Sequence, residues 1–262
     1  MSIELTQRQH EGLRIVLAAA TTAHDYFRDI DSLEIEEKGV QDFVSNADKA
    51  VETQIRTALL HAFPDDGIIG EEHGNIESES GYTWLIDPID GTANFINGIP
   101  GWCVVASCVK DCETLIGIVR DAIADETFVA VKGKGTTLNG KPVRVATSTS
   151  LANGSVGVGH STRVEPELTI AALGRLLNAG GVFYRNASGA LMLSYVASGR
   201  LTGYCEPHMN AWDCLASLLM ISEAGGITAA FDMQEMLTAG SRVITACPGI
   251  YTELLEICEA SY

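Results

Sequence analysis

Basic residues are scarce in this chain. It has 17 lysines and arginines against 34 aspartates and glutamates, a net charge of −17, and its pI is near 4.6. A surface that grips a phosphate backbone is basic, so direct nucleic-acid binding is not expected. Long apolar runs are missing too. No window approaches the ~18 consecutive apolar residues of a membrane span, and none is expected. The N-terminus, Met1-Ser2-Ile3-Glu4-Leu5, is polar and acidic where a secretory leader is basic and apolar, so the expected location is cytoplasmic. Proline supplies 7 residues and hydrophobic residues 46%, which excludes wholesale disorder. The seven cysteines (Cys103, Cys108, Cys112, Cys205, Cys214, Cys247, Cys258) are odd in number and include no C-x-x-C pair. Neither a disulfide framework nor a zinc site is expected, and reduced thiols fit better. The six histidines show no ligand spacing and no Ser-His-Asp motif.

What is present is acid in concentrated places. Asp87-Pro88-Ile89-Asp90-Gly91-Thr92 follows the apolar residues Tyr82, Trp84, Leu85 and Ile86. A strand entering that stretch delivers two carboxylates to its C-terminal tip. Pro88 lacks a donor and is expected to end the ladder there. Gly91 permits a tight turn with exposed amides, and Thr92 adds a hydroxyl. Carboxylates for hard cations, followed by amides that cradle an anion, suit a site where metal ions and a phosphate meet. Three further acidic clusters are candidates: Glu71 with Glu72 after a short strand, Asp213 after Trp212 at a helix start, and Asp42 with Asp48 flanking a polar segment.

The rest of the chain reads as follows. Residues 3–27 form an amphipathic helix with Leu13, Val16, Leu17, Ala20 and Phe27 recurring at helical spacing. Residues 30–45 are a loop or mobile arm. Ser45 or Asn46 caps a second helix that runs to about Phe63. Residues 67–72 and 82–87 are strands. Residues 102–145 form an antiparallel sheet with an Asn139-Gly140 hairpin turn. Beyond Ala152-Asn153-Gly154, strands (156–159, 182–184, 203–206, 243–246) alternate with helices (165–179, 188–198, 212–224, 250–259), an α/β pattern. Trp84, Trp102 and the cysteines are expected in the core, and the apolar run 102–108 is either core or interface. The expected organisation is an N-terminal α+β half, 1–150, carrying most ligands, and a C-terminal α/β half, 151–262, completing the site without a linker.

Gly70-Glu71-Glu72, Trp84 to Phe95 (Trp-Leu-Ile-Asp-Pro-Ile-Asp-Gly-Thr-Ala-Asn-Phe), Ala211-Trp212-Asp213 and Glu223-Ala224-Gly225-Gly226 resemble the signatures of the inositol monophosphatase family, in the same order and over essentially the whole chain. The resemblance implies an α/β fold, a layered αβαβα sandwich of the sugar-phosphatase type with mixed sheets between helix pairs. It implies Mg²⁺-dependent, lithium-sensitive removal of phosphate from a small alcohol, with two or three ions per site, and a homodimer. Glu71, Asp87, the Ile89 carbonyl, Asp90 and Asp213 are implied as metal ligands. The Gly91 and Thr92 amides are implied to hold the phosphate, with Thr92 and Asp48 near the attacking water. Glu206 looks like the family residue that contacts substrate hydroxyls. Arg185 to Ala190, including Ala187, resembles the small-residue stretch beside the substrate, which Asp90 and Asp213 also border. Lys38 and Asp42 resemble an arm that brings a third cation.

Chemistry at the residue level agrees. Cations neutralise phosphoryl oxygens and acidify water, and Glu71 or Asp48, with Thr92, can orient that water for in-line attack. Ala93 stands where many relatives have threonine and Asn97 where many have histidine, which bears on the substrate more than on activity. Inositol 1-phosphate is the leading substrate. Histidinol phosphate, fructose 1,6-bisphosphate and 3′-phosphoadenosine 5′-phosphate are the alternatives. A role of another class is a scaffold on transcription machinery.

Overall fold

The computed structural model describes residues 3–39 and 42–262. In chain order the elements are α1 (Ile3–Arg28), β1 (Ile35–Gly39), β2 (Asp42–Ser45), α2 (Asn46–Ala62), β3 (Gly67–Gly70), β4 (Thr83–Asp90), α3 (Thr92–Ile96), β5 (Cys103–Lys110), β6 (Glu113–Asp121), β7 (Glu126–Val131), β8 (Gly135–Leu138) and β9 (Lys141–Val143). There follow β10 (Ser155–Val158), α4 (Pro166–Asn178), β11 (Val182–Tyr184), α5 (Gly189–Ala197), β12 (Gly203–Met209), α6 (Ala211–Glu223), β13 (Ile227–Thr228), α7 (Met233–Ala239), β14 (Ser241–Ala246) and α8 (Tyr251–Glu259).

These stack as five layers, αβαβα. The helices α1 and α2 cover one face of a seven-stranded sheet ordered β3-β4-β5-β6-β7-β8-β9. The pair α5 and α6 lies between that sheet and a five-stranded one ordered β11-β10-β12-β14-β13, and α4 and α8 cover the far side. In the larger sheet β3 runs parallel to β4 and the remaining pairs are antiparallel. In the smaller, β10 is parallel to β11 and β12, and β14 is antiparallel to β12 and β13.

Both faces of the large sheet are covered, so its strands can be apolar throughout rather than alternating. The alternation survives as a choice between two cores: Trp84 and Ile86 face α1 and α2, whereas Leu85 faces α5 and α6. Each such side chain contributes roughly 1.5–3 kcal/mol by leaving water. α6 is buried almost continuously from Cys214 to Ile221 because sheet or helix meets it on nearly every side.

One polar cluster sits within this apolar setting. Arg8 of α1 is paired with Asp66 (Nε–Oδ2 2.8 Å, Nη2–Oδ1 2.6 Å) and lies over the Tyr82 ring. Asp66 also accepts from Ser80 Oγ at 2.6 Å and Trp84 Nε1 at 3.1 Å. Asp66→Ala would strand a buried guanidinium and leave two more donors unmet. The expected loss is about 3–5 kcal/mol of stability, measured as the shift in urea midpoint at neutral pH. A shift near zero would show that the pair is solvated.

Several expectations are corrected here. Residues 30–45 are not a loop: a short 3₁₀ turn at Ile30–Ser32 leads into an antiparallel β1–β2 hairpin that buries Val44. Val40 and Gln41, and the side chains of Lys38 and Asp42, lie outside the described residues, and with them the expected third-cation arm. Pro88 does not end its strand. β4 continues to Asp90, opposite Cys103, through a register shift between Asp87 and Asp90, because a proline at a bulge has no ladder donor to lose. Leu17 is 37% exposed, and the buried stripe of α1 is Gly12, Ile15, Val16, Ala19, Ala20 and Ala23. α3, α7 and β13 were not expected. Cys112 is exposed on the β5–β6 turn, whereas the other six cysteines are buried and all seven are free. Residues 102–108 are core. Among the described residues no helix is long and apolar enough to cross a membrane.

Candidate active site

The C-terminal tip of β4 is the centre. Asp87 is 2% exposed and accepts from the Ile89 amide at 2.9 Å. After Asp90 the chain turns at Gly91, whose φ of +98° is left-handed. A Cβ there would also lie 2.7 Å from the Gly101 carbonyl, so only glycine fits. The turn opens α3, and the first amides of any helix lack acceptors within it. Thr92 Oγ1 lies 3.0 Å from the Ile89 carbonyl and 3.2 Å from Asp48 Oδ1, so its single proton is shared between two acceptors.

Asp48 reaches this point from α2, where the other carboxylate oxygen caps the helix. Its Oδ2 accepts from the Ser45 amide at 2.8 Å and Ser45 Oγ at 2.6 Å. Burial pushes its pKa up, and the Ser45 and Thr92 bonds pull back. Asp90 crosses to the other side of the site. Its Oδ2 accepts from Ser188 Oγ at 2.5 Å and the Ala190 amide at 2.8 Å, and its Oδ1 from the Gly189 amide at 3.3 Å. The tip of the large sheet thus docks on the N-terminus of α5, where the helix dipole favours a carboxylate. Asn94 reinforces the joint by donating to the Gly101 carbonyl at 2.6 Å and the Asn186 carbonyl at 2.5 Å.

The far wall comes from the smaller sheet and α6. Asp213 accepts from the Asn210 amide and Nδ2, both at 3.2 Å. Burial first, then the charge of Asp90, pushes its pKa up to about 7, against the pull of Asn210 and Arg163. Glu206 is 8% exposed and accepts from the Tyr204 hydroxyl. Burial first, then Asp213, raises it to about 8, while Tyr204 and Arg185 pull back.

Glu71, Asp90, Gly91, Thr92, Ala187, Glu206 and Asp213 all line one cleft of about 580 Å³. Asp48 and Asp87 lie behind that lining, buried. Asp87 is driven well above the ordinary carboxylate range by burial, then by the charges of Glu71, Asp90 and Asp213, and it is hydrogen-bonded to Glu71. Two carboxyl groups in contact share a proton unless a cation takes its place. Among the described residues no three acids are gathered tightly enough to form a metal cage. The donor set still fits a hard divalent cation, since it is oxygen only, with carboxylates and one carbonyl.

Sequence reading missed four residues in or beside the site. Tyr204 sits two residues before Glu206 on β12, on the same face, a period-2 signal that was available. Glu52 lies one helical turn after Asp48. Arg163 and His160 line the cleft from the loop after β10, and nothing local distinguished them.

A model of the inositol monophosphatase family matches residues 7–261. The "Nus factor SuhB" of Haemophilus influenzae is 38% identical over 230 residues, 86% of this chain and 85% of the relative. The "Fructose-1,6-bisphosphatase/inositol-1-monophosphatase" of Aquifex aeolicus is 37% identical over 218 residues, 80% of this chain and 81% of the relative. Among solved structures, the extragenic suppressor protein suhB of Bartonella henselae superposes with a TM-score of 0.91 at 26% identity, covering 97% of this chain and 98% of that one. Match length, identity and shared fold agree: the chain belongs to the inositol monophosphatase family.

Proposed function

We propose that the chain is a Mg²⁺-dependent phosphomonoesterase whose leading substrate is inositol 1-phosphate. The observation that carries this reading is the β4 tip. There Asp87, buried against Glu71, and Asp90 run into the left-handed Gly91 and the Thr92 turn, and Glu71, Asp90 and Asp213 line one cleft. Glu71, Asp87, the Ile89 carbonyl, Asp90 and Asp213 would hold two or three ions. When bound, such ions supply neutralisation of the phosphoryl charge and acidify water. The amides at Gly91 and Thr92 hold the phosphate. The Thr92 hydroxyl, backed by Asp48 at 3.2 Å, orients the attacking water; it takes up the water's proton as its own passes to Asp48 Oδ1. Glu206, held by Tyr204, accepts from substrate hydroxyls, with Ala187 leaving room beside them. Residues 1–150 and 151–262 act as two halves that each bring part of the site.

Two specific observations favour further readings. Arg163 and Arg185 line the cleft, and each acts on a site acid, Asp213 and Glu206 respectively. Two guanidinium groups at the mouth of a strongly acidic protein suit a second anionic group, as in fructose 1,6-bisphosphate, which the Aquifex relative is named for. The name Nus factor, carried by the Haemophilus relative, supports a binding role on transcription machinery beside catalysis.

The test is phosphate release from inositol 1-phosphate, histidinol phosphate, fructose 1,6-bisphosphate and 3′-phosphoadenosine 5′-phosphate, with Mg²⁺ and with chelator. Mg²⁺-dependent, lithium-sensitive release greatest on inositol 1-phosphate is the expected result. Preference for the bisphosphate would select the second reading. No release from any ester, by folded protein in excess Mg²⁺, would overturn the enzyme assignment.

A further inference from the structure

We infer that Glu52 is a positioning residue for Glu71, fixing from behind where that carboxylate can reach into the cleft. The inference rests on the metal-dependent reading above. The buried face of α2 is Ala47, Asp48, Val51, Glu52, Ile55 and Leu59. Four of these are apolar, as a core-facing stripe should be. The two acids are four residues apart, so they share that face one turn from each other. Asp48 serves the Thr92 turn. Glu52 serves the bend after β3.

Glu52 is fully buried. Its Oε2 accepts from the Glu72 amide at 2.7 Å and its Oε1 from the His73 amide at 3.2 Å. Arg56 Nη1, at 3.2 Å, and His73 Nδ1, at 3.3 Å, complete the shell around Oε1. Arg56 also donates to the Gly74 carbonyl at 2.6 Å, closing the bend. On the other side of Glu71, the Gly70 Cα rests against the same carboxylate; any Cβ there would collide with Oε1. The peptide groups before and after Glu71 are thus both referenced to one carboxylate, and the Glu71 side chain leaves the backbone between them. A buried carboxylate is costly unless its lone pairs are met. Here they are met by the backbone that carries a cleft acid. In metal sites, the groups that orient ligands typically change affinity by about 10–100-fold when removed.

A role confined to stabilising the fold would lower the melting temperature and leave metal affinity alone, so affinity is the discriminating readout. Metal-free protein is titrated with Mn²⁺ or Mg²⁺ alone by calorimetry, beside a Mg²⁺ dependence of phosphate release. For Glu52→Gln the metal Kd is expected to rise about 10-fold or more, with kcat at saturating Mg²⁺ much less affected. Arg56→Gln touches no cleft residue and keeps the helix. It serves if Glu52→Gln does not fold, and its Kd is expected to rise several-fold. Asp66→Asn, in the cluster beside α1, is the control: it should melt earlier with unchanged metal Kd. Metal affinity within twofold of the parent in both the Glu52 and Arg56 variants would overturn the inference. A parent protein that takes up no divalent cation would instead overturn the metal-dependent reading on which it rests.

Discussion

Asp90→Asn is expected to cut phosphate release by about 1,000-fold, close to 4 kcal/mol on the barrier, in a protein that still folds. The side chain keeps its size, and an amide oxygen can still accept from the Ala190 amide and Ser188 Oγ that hold Asp90 now. What is lost is charge that acts on three other acids of the site. Asp90 raises Asp213 and Asp87, and it reaches Glu206 as well. Loss of a single preorganised charge-stabilising group commonly costs 10²–10³-fold, and a carboxylate that would also help hold the cations sits at the upper end. A second readout separates chemistry from folding. Because the variant relieves repulsion within a cluster of like charges, its metal-free melting temperature should hold or rise. Turnover within about tenfold of the parent, in folded variant at saturating Mg²⁺, would remove Asp90 from the machinery and with it the proposed site.

The legible part of this site was the part concentrated in one stretch. Asp87 to Thr92 carries much of its own geometry, because two acids and a left-handed glycine follow one another; the continuation of the strand past Pro88 was not read. Asp213 was legible as an acid at a helix start, and it does act as a cap toward Asn210 while its charge is felt across the cleft. Glu52 was not legible. Its sequence neighbours make it look like one more polar residue on an amphipathic helix, and only the packing of α2 against the 70–73 bend turns it inward. Tyr204 was legible in part: its spacing from Glu206 on one strand was available, but the burial that gives the contact meaning comes from α5 and Gly159. The β1–β2 hairpin escaped because its charged, glycine-bearing sequence has little apolar alternation, and its pairing depends on where α2 begins. The strands 102–145 were read because β-branched runs and turn residues agree locally, with Asn139 and Gly140 both at positive φ in the observed hairpin.

Removing divalent cations is expected to make the protein's stability fall as pH rises. Asp213 and Glu206 ordinarily titrate at 3.8 and 4.5, and in the metal-free fold they are raised to about 7 and about 8. Between those limits the folded protein keeps protons that the unfolded chain has released. The unfolded state then binds fewer protons, so the stability of the metal-free protein falls as pH rises from about 5 to 8. A shift of this size amounts to about 4 kcal/mol for a fully shielded carboxyl. Solvent in the open cleft screens Asp213 and reduces its share. A bound cation works in the opposite direction. Its ligands must be deprotonated, so binding releases protons and strengthens with pH, and it stabilises only the folded state. Melting curves at pH 5.5, 7 and 8.5 should therefore diverge: with chelator the melting temperature falls, with excess Mg²⁺ it holds, and the gap widens. A gap that stays constant across this range would mean that no carboxyl proton is exchanged for metal. A chelated protein that melts at the same temperature throughout would mean that the acids of the cleft are not raised. Either result would point away from a charge cluster held together by cations, because such a cluster is destabilised in the folded state until they bind.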